Sequence, residues 1–149
     1  MDKKLRKTIQ EMIKQYYKDL KVIEILDHES KILLENKKNL QKIIFDYKKV
    51  NTKEYDETVK MAEAKVNKKS KKIIKRQIKV ADIIEKDAGI SYILSKLSNE
   101  DREILKLKYS SNESFDKIAE NLYMSKATIS RKLSSITQMI AKYIEGKTK

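Results

Sequence analysis

The residues best placed to do chemistry stand in one stretch near the C-terminal end: Ser125, Lys126, Ala127, Thr128, Ser130, Arg131, Lys132, Ser134 and Gln138. Their types suit recognition of nucleic acid rather than bond cleavage. Arg131 carries a planar fork of donors that matches guanine O6 and N7, and Ala127 fits against a thymine methyl. Thr128 and Ser130 can reach bases or phosphates. Lys126 and Lys132 supply charges for phosphates, contacts that fix register without reading sequence. Ser125 opens a helix whose first N–H groups favour a phosphate. With Ile129 set at the core, steps of 100° per residue turn Ala127, Arg131, Ser134 and Gln138 to within about 40° of outward, with Thr128 and Ser130 on the flanks. No acid occurs from Lys126 to Lys142. One helix earlier, Ser114 and Lys117 are candidates for contacts to the DNA backbone.

Other chemistry has little to work with in these 149 residues. The absence of cysteine excludes disulfides, thiolate metal sites and cysteine nucleophiles. One histidine, His28, excludes a His-rich metal cluster or a relay built with a second histidine. Carboxylates are scattered over helix surfaces, so no catalytic pair, metal or cofactor is expected and the chain reads as non-enzymatic. No apolar run approaches the roughly 18 residues of a membrane span, and no signal-peptide core is present. Thirty-five Lys and Arg against 22 Asp and Glu give a net charge of +13. That excess favours a polyanion partner. Lysine also solvates any long helix, so charge alone decides nothing.

Positioning the site falls to helices. Two glycines, Gly89 and Gly146, and no proline leave little to interrupt them, and the pattern is all-α. Residues 98–145 form the expected DNA-binding domain. Ser98, followed by Glu100 and Asp101, caps a helix that runs to about Tyr109. The next turn holds Asn112, a residue that tolerates left-handed backbone. Ser114 caps a helix from Phe115 to Leu122, and after three residues Ser125 caps another. Ile118, Ala119, Leu122, Met124, Ile129 and Leu133 face inward, with Ala119 small where two helices must cross. This is the spacing of a helix-turn-helix.

Residues 1–97 read as an extended helical region, with helices over about 3–50 and 53–88 and a short apolar one over 90–97. Alternating 4/3 steps from Leu5 to Tyr47 meet thirteen positions, ten of them apolar, which fits a coiled-coil or hairpin seam. Thr52 is the expected cap of the second helix. Its seam runs through Tyr55, Val59, Ala62, Val66, Ile73, Val80 and Ile84, missing at Lys69 and Gln77. Its other face holds eight cations and no acid from Lys65 to Lys79. A solvated face outweighs a contact to DNA or to an acidic polymerase surface there. The rod fits an antiparallel hairpin or a dimeric coiled coil, and residues 146–149 form a tail.

The stretch LSNEDREILKLKYSSNESFDKIAENLYMSKATISRKLSSI, within Ser98 to about Ile144 plus one leading leucine, resembles the region 4 helix-turn-helix of bacterial sigma factors. With QYYKDLKVIEILDHESKILLENKKNL before it, the chain is similar to small phage regulators of late transcription, the ArpU/RinA-like group. Tyr123 stands where such turns usually carry glycine, which implies strain. Nothing resembles the part of a full sigma factor that melts a promoter. The resemblance implies a sequence-specific DNA-binding transcription regulator of phage or prophage origin that acts with host RNA polymerase. It would work in the bacterial cytoplasm at the nucleoid, its N-terminal rod serving either to form a homodimer or to touch RNA polymerase. A DNA-packaging adaptor like a small terminase subunit is the alternative, followed by a coiled-coil scaffold.

Overall fold

The computed structural model describes residues 2–51, 56–87 and 89–148, and among these it is all-helical with no strand. Six helices follow one another: α1 (Lys3–Val50), α2 (Glu57–Glu85), α3 (Ile90–Ser95), α4 (Asn99–Leu105), α5 (Phe115–Leu122) and α6 (Lys126–Thr148). A π-helical turn, Lys106–Ser110, extends α4. No described helix is long and apolar enough to cross a membrane.

The chain divides into two compact units, one of residues 1–20 with 87–149 and one of residues 21–86. This division does not fall at Ser98, because it joins residues 1–20 to residues 87–149. The reason lies in α1, where Ile9, Ile13 and Tyr17 are buried in one core with Ile93, Ile104, Ile118, Ile129 and Ile140. Steps of four from Ile9 to Tyr17, flanked by Leu5, Met12, Tyr16 and Leu20, make a wide apolar face of the kind a globular core covers. The 4/3 pattern itself holds: none of its thirteen positions is exposed. It serves one core up to Leu20 and a different partner beyond.

In the unit of residues 21–86 that partner is α2. Lys48 pairs with Glu63 at 2.8 Å and Arg76 with Glu29 at 2.7 Å, so numbers rise on α2 as they fall on α1, the pattern of an antiparallel hairpin. At its turn, Tyr47 donates to Asp56 Oδ2 at 2.7 Å. Asp56 Oδ1 caps α2 by accepting from Thr58 and Val59 N–H. The expected cap Thr52 and the seam residue Tyr55 lie outside the described residues. Past Ile73 the α2 seam follows Arg76, Val80 and Ile83 rather than Gln77 and Ile84, and Ile84 is 60% exposed. Arg76 accounts for the shift: its head reaches Glu29 while its stem covers the seam.

In the other unit side-chain oxygens hold the starts of α3 and α4. Asp87 Oδ1 accepts from Ile90 N–H at 2.9 Å, and Ser98 Oγ from Asp101 N–H at 3.1 Å. The short helix over 90–97 ends as α3 at Ser95, and its last turn tightens through Leu97 N–H to Leu94 C=O. α6 continues through Gly146 to Thr148.

Candidate nucleic-acid interface

α5 and α6 are tied by local rules that the sequence carries openly. Ser114 Oγ accepts from Lys117 N–H at 3.2 Å, and Ser125 Oγ from Thr128 N–H at 3.1 Å, so both expected caps form. Between them the chain reverses at Tyr123, which sits left-handed at φ 53° and ψ 42°. Met124 N–H closes onto Ala119 C=O at 3.0 Å, and Met124 packs against the core beside Ala119 and Leu122. This is a Schellman-type stop, a role glycine usually fills because it has no Cβ to clash. Asn112 takes the other left-handed position, at φ 52°, as its side chain allows.

Buried Ile129, Leu133, Ile136, Thr137, Ile140 and Ala141 fix the roll of α6. Ala127, Arg131 and Gln138 are exposed, as are Lys126, Ser125 and Ser130, while Thr128 is half-buried. Arg131 rests its guanidinium near Thr128 Oγ1 at 3.4 Å, and that hydroxyl shares a 2.7 Å hydrogen bond with Ser125 Oγ. Ser114 and Lys117 are exposed at the start of α5.

Two of the expected contact residues are placed differently from the rest. Ser134 is half-buried and lines a cavity of about 240 Å³ with Arg6, Gln10, Lys108, Tyr109 and Ser130. Anchoring the helix on Ile129 alone put the outward direction about 30° off, because Thr137 and Ala141 also face the core. Ser135 and Lys142, both exposed, take the outward places instead. Lys132 does not stand free for a phosphate. Its Nζ meets Glu100 Oε1 at 2.7 Å and Asp101 Oδ1 at 3.7 Å, and the Glu100 hydrogen bond raises its pKa above the lysine norm. It fastens α6 to the first turn of α4. Lys126 pairs with Asp116 at 3.4 Å, an exposed contact that competes weakly with a phosphate.

The cavity brings in residues the sequence reading missed. Arg6 and Gln10 come from α1, and Lys108 and Tyr109 from the π turn. Lys108 Nζ lies 4.7 Å over the Phe115 ring, and burial raises the Tyr109 pKa above its usual value. The run Ile9, Ile13, Tyr17 was the available signal, since four-residue steps call for a core of their own. Among the described residues, no group of three or more His, Cys, Asp or Glu can hold a metal ion. No protein-family model, no curated protein and no solved structure matches the chain.

Proposed function

We propose that this chain is a sequence-specific DNA-binding transcription regulator of phage or prophage origin, with α5 and α6 as a sigma-region-4-like helix-turn-helix. The observation that carries the reading is the face of Ala127, Arg131, Ser135, Gln138 and Lys142. It is exposed, free of acids and set on a helix whose opposite side is fully buried. A small polar surface with two long cations, Arg131 and Lys142, suits a major groove, where Arg131 can pair with guanine. Ser125, Lys126, Thr128 and Ser130, with Ser114 and Lys117 on α5, surround it as contacts to backbone or base edges. Host RNA polymerase is the partner that the sigma-like resemblance implies, and the cytoplasm and nucleoid are the setting.

The test is selection of random duplexes on the purified protein, with an Arg131→Ala, Gln138→Ala variant alongside. An enriched motif that relaxes in the variant is the expected outcome, with a loss of about 1–3 kcal/mol for the bidentate contact. An unchanged motif would show that α6 does not read the groove. The hairpin's exposed apolar side chains favour self-association, which both a regulator and a packaging adaptor can use. A dimer fits the regulator, and a closed ring would move the reading to the adaptor.

A further inference from the structure

The eight cations from Lys65 to Lys79 do not behave as one face. Arg76 is half-buried and neutralised by Glu29, and Lys69 is half-buried on the hairpin seam. Lys71 is exposed about 40° to one side, and the remaining five, Lys65, Lys68, Lys72, Lys75 and Lys79, are all exposed and follow strict 3-4-3-4 spacing. At 100° and 1.5 Å per residue they fill an arc of about 80° and a row about 21 Å long. None of the five has an ion pair among the described residues, and no acid lies between Glu63 and Asp82 on the helix.

We propose that this lysine row is a second, sequence-independent contact to the phosphate backbone of duplex DNA, separate from the base-reading face of α6. The chemistry chooses the ligand. Lysine is a compact point charge that neutralises phosphates without the bidentate geometry that reads bases. Protein interfaces are depleted in lysine and anchored by aromatic, Met or Arg side chains, and no such anchor interrupts this row. Duplex DNA presents a charge about every 3.4 Å along each strand, so a row this long faces several phosphates at once. The inference takes its ligand from the DNA-binding reading above.

The experiment compares the full-length protein with a Lys65→Gln, Lys68→Gln, Lys72→Gln, Lys75→Gln, Lys79→Gln variant on one fluorescent duplex over a salt series. A matching five-fold Lys→Arg variant keeps the charge. Each neutralised phosphate contributes about 0.9 to the slope of log affinity against log salt. The glutamine variant is expected to lose about 2–4 units of slope and more than tenfold affinity at low salt, with its ranking of duplexes unchanged. The arginine variant should keep the wild-type slope. A wild type that binds duplex, with a glutamine variant of equal slope, overturns this proposal alone. A wild type that binds no duplex overturns both this proposal and the DNA-binding reading. Loss of binding to phosphatidylserine vesicles in the glutamine variant, with DNA binding intact, would assign the row to a membrane surface instead.

Discussion

Tyr123 holds a backbone conformation that costs an L-residue about 1–2 kcal/mol. Its side chain, 96% exposed, recovers almost nothing by packing. Tyr123→Gly is therefore expected to stabilise the fold by about 1 kcal/mol, or several degrees in a thermal melt. A lower melting point would mean that the ring itself holds the turn. Lys132 makes the opposite case. Among the described residues it is the cation paired with Asp101 Oδ1, which is buried without a hydrogen bond. Lys132→Ala should lower the melting temperature, with duplex affinity little changed once the fold is intact. A loss of affinity with no loss of stability would return Lys132 to phosphate binding. Tyr17 adds a pH signature, since burial, more than its neighbours, pushes its hydroxyl up to about 12. The fold favours the neutral phenol, so this stability is complete below the ordinary value near 10 and disappears as pH climbs through about 12. Tyr17→Phe should flatten that alkaline loss in denaturant titrations, and equal losses in both proteins would refute the assignment. The three serine caps were legible because a cap is decided within four residues. The environments of Lys132 and Ser134 were not, because α4 and α1 decide them from far along the chain.

At the scale of elements, the lysine row of α2 works against its own helix. Like charges at i,i+3 and i,i+4 destabilise by about 0.2–0.5 kcal/mol per pair, and the row contains four such neighbours. Glutamine is nearly as good a helix former as lysine. The five-fold glutamine variant should thus melt about 1–2 kcal/mol more stably at low salt, and the gap should close at high salt as screening removes the repulsion. Equal melting curves at low salt would mean that solvent already quenches the row. The row's spacing was legible from the start. Its lack of partners was not, because the arm that takes Arg76 out of the set comes from Glu29, 47 positions away. The same limit applies to α1: periodicity told which positions turn inward, but not that two different partners cover them.

For the whole molecule, the two units differ in how well they bury their apolar residues. One has a core of fifteen buried residues drawn from α1, α3, α4, α5, α6 and, through Leu97, the connection between α3 and α4. Among the described residues the hairpin has only Ile44 and Val66 buried, and eleven of the fourteen exposed large apolar side chains belong to it. Helices gain most of their stability in water from packing an apolar face, and here much of that surface still faces solvent. Val22, Ile25, Ile32, Ile43 and Val50 fall on 3/4 steps along one flank of α1, next to the intramolecular seam. A second hairpin laid on that flank would complete a four-helix bundle. Sedimentation should then give about twice the 17.5 kDa chain mass at micromolar concentration, with a melting temperature that rises with protein concentration. An Ile25→Glu, Ile43→Glu variant should be monomeric and less stable, because it places charges where a partner's apolar surface would lie. A wild type that sediments as a monomer, with a melt independent of concentration, would instead show that the hairpin stands alone and leaves its flank to another protein.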